Sequence, residues 1–256
     1  MTKLRQILIS NDDGVDSPFL GRFLDAFSEI AESVVCVVPA CEQSWIGRAY
    51  SRHKSLTLEE REQRGNVRIC TIDGTPADCV NIALEHILQE APDAVVSGMN
   101  IGHNLALPLL WSSGTFAAAA EGAAMGVPAF ACSLQLANEY YELCRLKHCT
   151  PPAAVDAALS AACKHAADFV LQTLSAKKIE PFAVHNLNYP ADYSVKSEFK
   201  MCEPARVNVK PLYVKNSGDG FDFKYSVGDN FSPTDVLTDI ECVKNSWGSC
   251  SVVKIH

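Results

Sequence analysis

The sequence predicts an α/β fold, a Rossmann-like and mostly parallel sheet with helices on both faces. Short runs rich in β-branched residues recur along the first half of the chain, helical apolar spacing separates them, and polar loops follow several of them. Alternation of this kind is typical of a parallel sheet covered on both faces. Since such sheets bind ligands at the carboxyl ends of their strands, we expect the site in the loops after residues 10, 38, 97 and 110.

Each element up to residue 134 has its own signal. Strands are predicted where apolar runs are nearly continuous, at residues 6–10, 34–38, 67–72, 94–97 and 129–133. Helices are predicted at residues 19–31, about 76–89 and 115–125, the second because Thr75 and Asp78 match a capping box and the third because it ends at Gly126. Residues 39–58 are expected to form a long polar loop.

The pattern changes after residue 134. Residues 135–152 show no clear apolar periodicity, and a long helix is predicted at 153–176. Beyond residue 182 the sequence consists of short strand-like segments and turns, such as the glycine-containing segment 216–220. We therefore expect residues 1–185 to form the Rossmann-like catalytic core. Residues 186–256 are expected to form C-terminal strands, hairpins and arms rather than an independent domain.

Composition limits the class of protein. The net charge of −8 argues against broad contact with a nucleic-acid polymer, and no apolar run reaches the roughly 18 residues of a membrane span. The eleven cysteines include no CxxC pair, so free thiols are expected rather than a zinc site or a dithiol. The start of the chain does not resemble a signal peptide. These features predict a cytoplasmic protein without membrane contact.

Two adjacent carboxylates, Asp12 and Asp13, directly follow the first predicted strand. Neighbouring carboxylates repel each other, and a bound cation at the end of a strand would offset that repulsion. The alternative is a solvated turn or a cap for the next helix. Since oxygen ligands suit hard cations, the residue types favour one divalent cation, Mg²⁺ or Mn²⁺, over zinc.

Two later loops add polar groups. Residues 97–104 contain Asn100 and Asn104, whose amides serve either as turn formers or as neutral oxygen ligands. Residues 112–115 open the alanine-rich helix, and a helix start with hydroxyls and glycine is either a phosphate cradle or an ordinary cap. His103 lies in the first of these loops, where a lone histidine is more often structural.

The order of these segments resembles the SurE family, the stationary-phase survival proteins that are metal-dependent nucleoside monophosphate phosphatases. The resemblance is carried by ordered segments at residues 7–15, 73–80, 92–104, 113–115, 121–122 and 126–129, with weaker matches at 186–190 and 234–235. It implies a 5'-nucleotidase, a phosphoric monoester hydrolase that cleaves nucleoside 5'- or 3'-monophosphates to nucleoside and phosphate. It also implies a homodimer or homotetramer joined through C-terminal arms.

The resemblance assigns roles to individual residues. The implied ligands of the divalent cation are Asp12, Asp13, Ser44 and Asn100, of which Asp12 and Asp13 are also the catalytic residues. The implied holders of the substrate phosphate are Asn104, Ser113, Gly114 and Thr115. Asp12 is expected to orient or deprotonate the attacking water, with direct attack on phosphorus as the alternative.

The chain also departs from the family pattern. Trp45 and Phe19 stand where the family usually has glycine, and residues 106–108 replace a Gly-Asp-Asp-like turn. These changes leave two alternatives open: a metal- or nucleotide-binding sensor without turnover, and a hydrolase of another phosphomonoester or ester. A haloacid-dehalogenase-like phosphatase is disfavoured, because its two aspartates flank one residue and here Asn11 and Gly14 occupy the required positions.

Overall fold

The computed structural model of the protein describes residues 2–145, 149–226 and 228–255. A nine-stranded sheet runs through these residues in the order β3-β4-β2-β1-β5-β6-β7-β11-β8, and β9 and β10 form a separate hairpin. The strands are β1 (Leu4–Ser10), β2 (Ala31–Pro39), β3 (Leu58–Arg64), β4 (Val67–Ile72), β5 (Ala94–Ile101), β6 (Ala129–Leu134), β7 (Ala183–Tyr189), β8 (Phe199–Cys202), β9 (Tyr213–Lys215), β10 (Phe221–Phe223) and β11 (Gly248–Lys254).

Along the chain, the helices occur in the segments that connect the strands. They are α1 (Leu20–Ile30), α2 (Pro76–Ile82), α3 (Leu107–Leu110), α4 (Gly114–Ala124), α5 (Asn138–Arg145), α6 (Ala153–Ser175) and α7 (Asp239–Lys244). A π-helical segment, Ala83–Ile87, continues α2 and ends the second helix two residues before the predicted end at 89. The capping box predicted from Thr75 and Asp78 forms at the start of α2.

The centre of the sheet is parallel, as predicted. Strands β4, β2, β1, β5, β6 and β7 pair in parallel, so their carboxyl ends meet at one edge. At the flanks, β3 pairs antiparallel with β4, and β11 pairs antiparallel with β7. This arrangement confirms the α/β fold class, including the additional C-terminal strands and hairpin.

Helices cover both faces of the sheet. On one face α1 and α6 pack with the sheet, and Phe23, Phe27 and Leu159 lie in the same core cluster as Ile7 and Ile9 of β1. On the other face α2 and α4 contribute Val80 and Ala118, which cluster with Leu8 of β1 and Val95 of β5. Alternate residues of β1 thus face opposite cores, which is why the strand is a continuous apolar run.

Three elements differ from the expectation. The sequence predicts no element at strand β3, because the strand is fully exposed and every residue after Leu58 is polar. Helix α5 lies in the stretch 135–152 where the periodicity lapses, and only Cys144 of that helix is buried. Strand β11 joins the main sheet beside β7, so the last residues of the chain contribute to the sheet and not to the hairpin alone.

Two further properties of the described residues bear on the predicted class. Helices long and apolar enough to cross a membrane do not occur among them. All eleven cysteines lie within the described residues, and each is a free thiol.

Candidate functional site

A cavity of about 600 Å³ opens at the carboxyl ends of the parallel strands. Its walls come from the turn after β1, the loop after β2, the end of β5 and the α3–α4 region, as the sequence predicts. Predicted site residues that line it are Asp12, Ser44, Asn100, Asn104 and Ser113. The chain thus brings together side chains that are up to about a hundred residues apart.

The turn after β1 fixes the position of the two carboxylates. The Asn11 amide donates to the Gly14 carbonyl at 3.1 Å, and the Gly14 N–H donates to Asn11 Oδ1 at 3.0 Å. Gly14 has a φ of 84°, a left-handed conformation that glycine adopts without steric cost. Asn11 and Gly14 therefore form a closed turn, which explains the Asn-Asp-Asp-Gly order.

Asp12 is a buried carboxylate at the edge of the cavity, with only 4% of its surface exposed. Burial raises its pKa to about 6, although a hydrogen bond from the Thr115 hydroxyl opposes the shift. The Thr115 Oγ1 donates to Asp12 Oδ1 over 2.5 Å. A cation would favour the ionised form of this carboxylate, which burial alone disfavours.

Asp13 and Asn100 join the ends of β1 and β5. Asp13 Oδ2 accepts a hydrogen bond from the Ile101 N–H at 3.1 Å. The Asn100 amide donates through Nδ2 to the Gly102 carbonyl at 3.0 Å, which orients its Oδ1 as the available acceptor. Neutral amide oxygens and carboxylates are the donors that hard divalent cations take.

Ser44 lies on the exposed loop after β2. Its hydroxyl donates to Glu42 Oε1 at 2.8 Å, while the Gln43 N–H donates to the Asp12 carbonyl at 2.8 Å. The loop is thereby fastened to the turn after β1. Glu42 also lines the cavity and is a site residue that the sequence analysis missed, because a glutamate in a polar loop carries no distinguishing signal.

The start of α4 lies against Asp12. The Ser113 side chain caps the helix by accepting from the Phe116 N–H at 3.0 Å. Gly114 leaves no room for a side chain, since a Cβ there would lie 2.6 Å from the Asp12 Cβ. Thr115 is fully buried and its hydroxyl is engaged with Asp12, so the helix start supports the carboxylate directly.

Asn104 is held by residues of β6 and β7. Its Nδ2 donates to Ser133 Oγ at 3.0 Å, and its N–H donates to Asn188 Oδ1 at 2.8 Å. The amides of Asn186 and Asn188 in turn donate to the Asn104 carbonyl at 2.9 and 3.0 Å. In the sequence, residues 186–190 carry only a weak family match, and Ser133 has no signal of its own because it lies within a predicted strand.

A buried glutamate anchors the rest of the loop after β2. Glu121 of α4 is 2% exposed and accepts hydrogen bonds from Arg48 Nε at 2.7 Å and the Tyr50 hydroxyl at 2.6 Å. The Asn81 amide donates to its other oxygen at 2.7 Å. Arg48 and Tyr50 thus fix the loop that carries Ser44 to the helix that supports Asp12, and Asn81 joins the same carboxylate from α2.

The donors at this edge fit a hard divalent cation. Within the described ranges, no group of three or more His, Cys, Asp and Glu side chains forms a metal cluster. Two carboxylates, an amide oxygen and a hydroxyl lie at this edge, and oxygen donors of this kind suit a hard divalent cation. Thiolate or imidazole ligation, typical of zinc, has no counterpart in the cavity lining apart from His103.

Comparison with known proteins places these features in one family. A family model described as "Survival protein SurE" matches residues 7–211. The protein named 5'-nucleotidase SurE of Desulforudis audaxviator is 43% identical over 130 residues, 50% of each chain. The protein of the same name from Caldanaerobacter subterraneus is 39% identical over 136 residues, 53% of each chain. The chain thus spans about half the length of these curated relatives.

A solved structure agrees with the fold along nearly the whole chain. The structure titled "Crystal Structure of Sure Protein from Aquifex aeolicus" superposes with a TM-score of 0.75 and covers 98% of this chain and 94% of that one. Its sequence identity of 24% supports the fold alone. Together with the family model, which matches well over half of the residues, these findings show that the chain belongs to the SurE family.

Proposed function

We propose that the protein hydrolyses nucleoside monophosphates to nucleoside and phosphate with the help of one divalent cation. The observation that carries the proposal is the buried carboxylate of Asp12, which faces an open cavity and lies against the start of α4. The name 5'-nucleotidase of the curated relatives supports the substrate class. Both the 5'- and the 3'-phosphate fall within the proposal.

In this proposal, Asp12, Asp13, Asn100 and Ser44 hold the cation. Asp12 and Asp13 supply the negative charge, and Asn100 Oδ1 and the Ser44 hydroxyl supply neutral oxygens. When bound, a cation of this kind withdraws charge from phosphoryl oxygens and lowers the pKa of bound water. Mg²⁺ and Mn²⁺ are the proposed identities.

The residues proposed to receive the phosphate are Asn104 and the start of α4, which lies against Asp12. Asn104 lines the cavity, and Asn188 holds its backbone through hydrogen bonds to both the N–H and the carbonyl of Asn104. Ser113, Gly114 and Thr115 form the start of α4, where the helix dipole favours negative charge. The Thr115 hydroxyl donates to Asp12. We therefore propose that Thr115 contributes to phosphate binding through its place in the first turn of α4 and not through its hydroxyl.

Asp12 is the proposed proton acceptor. Its carboxylate lies at the cavity edge, where it is positioned to orient the attacking water and to take its proton as the oxygen–phosphorus bond forms. Thr115 holds the carboxylate in one orientation through Oδ1. The leaving nucleoside oxygen takes a proton from solvent, which enters through the open side of the cavity.

Phosphate release from a panel of 5'- and 3'-nucleoside monophosphates tests this proposal. We expect release that EDTA abolishes and that Mg²⁺ or Mn²⁺ restores. Tight binding of nucleotides without release would instead identify a sensor. Release that continues in excess EDTA would contradict the role of the cation.

We also propose that the protein is a cytoplasmic homodimer or homotetramer. The free thiols suit a reducing compartment. Large apolar side chains are exposed along the C-terminal region, among them Val195, Met201, Phe221 and Phe231, and a second copy would cover such surface. Light scattering coupled to size exclusion tests the proposal, which a monomer at micromolar concentration would contradict.

A further inference from the structure

Three aromatic rings meet at the rim of the cavity. Trp45 comes from the loop after β2, Phe223 ends β10, and Tyr225 follows β10 by two residues. The Trp45 ring lies 5.1 Å from the Phe223 ring and 5.6 Å from the Tyr225 ring, measured between centroids. We call Trp45, Phe223 and Tyr225 the aromatic shelf.

The aromatic shelf borders the same cavity as the carboxylate. All three of its residues line the cavity together with Asp12 and Asn104. A volume of about 600 Å³ is within the range of pockets that hold ligands of nucleotide size. The cavity lining thus combines polar side chains with aromatic rings.

The shelf remains open to solvent, unlike the aromatic side chains of the core. Trp45 is 44% exposed, Phe223 48% and Tyr225 40%, although the rings contact one another. Core rings such as Phe23 and Phe27 also pair but are fully buried. An exposed cluster of large rings beside a polar site is typical of a binding surface.

Trp45 also has an unusual backbone conformation, with a positive φ. Its φ of 61° lies in the left-handed region, which is costly for a bulky side chain. The surrounding contacts hold it there: the Ile46 N–H donates to the Gln43 carbonyl, and the Gly47 N–H donates to the Ser112 carbonyl at 3.0 Å. The indole is therefore presented at a fixed place on the rim.

We propose that the aromatic shelf binds the base of the nucleotide by stacking, which makes Trp45 a specificity-determining residue for purine nucleoside monophosphates. The inference rests on the proposed function, because the base enters this cavity as part of the nucleoside monophosphate substrate. Bases stack on aromatic side chains through their π faces. A purine covers more of a surface built from several rings than a pyrimidine does, so purines are preferred.

A purely structural role for the rings makes a different prediction. If Trp45 only fastened the β9–β10 hairpin to the core, its removal would lower stability and affect every substrate equally. Stacking on the base acts only on substrates that carry a base. The ratio of kcat/KM for AMP to kcat/KM for ribose 5-phosphate separates the two roles.

The test compares this ratio in the wild-type protein and in Trp45→Gly. Glycine adopts the φ of position 45 without strain, so the loop is expected to keep its path. Loss of one base–aromatic stack should lower the ratio roughly 5- to 100-fold, mainly through the KM for AMP. Trp45→Phe keeps a stacking ring and should recover most of the ratio.

Matched controls make the result interpretable. Phe221 lies on the same strand as Phe223 and is 67% exposed, but is not among the described residues that line the cavity. Phe221→Ala should therefore keep the wild-type ratio, while Phe223→Ala lowers it. Circular dichroism confirms that each variant is folded. An unchanged ratio in Trp45→Gly and Phe223→Ala would overturn the inference.

A second measurement separates this inference from the proposed function. Adenosine carries no phosphate, and its binding to the wild-type protein and to Trp45→Gly is measured by calorimetry. Weaker binding to the variant supports the shelf even if no nucleotide releases phosphate, an outcome that would contradict only the hydrolysis. Equal binding to both proteins would contradict the shelf and leave the hydrolysis standing.

Discussion

Gly114 shows how closely the site is packed at the level of single residues. A methyl group there would lie 2.6 Å from the Asp12 Cβ and 2.8 Å from its Oδ2. Atoms at those distances overlap, so the carboxylate or the start of α4 must shift. Position 114 must therefore be glycine for Asp12 to keep its position against α4.

Gly114→Ala is therefore expected to reduce phosphate release by about 100-fold or more, on the scale of losing one preorganised electrostatic contact. Gly21→Ala is the matched control, since nothing lies within 4 Å of a Cβ at that exposed position of α1. Because alanine favours a helix over glycine, Gly21→Ala should raise the free energy of unfolding by about 0.5–1 kcal/mol. Equal activity in the two variants would contradict the close approach.

The loop after β2 and helix α4 form one unit at the level of elements. Glu121 accepts hydrogen bonds from Arg48, Tyr50 and Asn81, and its side chain is almost wholly buried. Removal of the carboxylate would leave these donors without their acceptor. The loop that carries Ser44 and Trp45 would then be free to move.

We expect Glu121→Ala to lower the free energy of unfolding by about 2–4 kcal/mol, because it breaks a buried network of charged hydrogen bonds. Hydrogen exchange should also speed up in residues 45–51. Glu85→Ala removes an exposed glutamate and serves as the control. Protection of residues 45–51 equal to that of the wild type would mean that the loop is held by other contacts.

How well each element could be predicted from sequence follows from what surrounds it. The central strands and helices α1, α4 and α6 were recognised because burial imposes a continuous or periodic apolar pattern. Strand β3 has no such pattern, since its backbone pairs with β4 while all of its side chains are exposed. It forms as the outer arm of a hairpin with β4, at the edge of the sheet, where backbone pairing and not burial holds it.

The site shows the same division. Asp12, Asn100 and Ser113 are predicted as site residues because polar residues stand after buried strands or before a helix, and the structure places all three in the cavity lining. Glu42, Ser133 and Glu121 were missed, because their roles depend on partners elsewhere in the chain. The aromatic shelf joins residue 45 to residues 223 and 225, a contact that no local motif encodes.

At the level of the whole molecule, buried histidines make stability depend on pH. His185 of β7 is 4% exposed and stacks on Phe130 of β6 with ring centroids 5.0 Å apart. Burial lowers its pKa below the ordinary 6.5, and burial lowers that of His165 as well. The unfolded chain therefore binds protons at a higher pH than the folded protein.

The contribution of these histidines to stability should consequently fall as the pH drops from about 7 through the ordinary histidine range near 6.5, whereas the raised pKa of Asp12 acts in the opposite direction. His185→Leu removes one of these groups, and its free energy of unfolding should depend less on pH between 7 and 5 than that of the wild type. Urea unfolding at several pH values measures the difference. Parallel pH profiles for the two proteins would contradict the assignment to His185.

The polar edge of the sheet and the family membership lead to one proposed account of the whole molecule, in which a parallel sheet gathers oxygen donors at its carboxyl edge and a cation bound there would enable phosphate release. Asp12→Asn removes the buried charge at this edge. Asp16→Asn is the matched control, because Asp16 lies four residues further along the same segment but is exposed.

The most direct test measures Mn²⁺ binding by calorimetry and AMP hydrolysis in the wild type and both variants. We expect Asp16→Asn to match the wild type. Asp12→Asn should weaken Mn²⁺ binding and lower Mn²⁺-dependent release by roughly 10²- to 10³-fold. Wild-type Mn²⁺ affinity and turnover in Asp12→Asn would contradict the account.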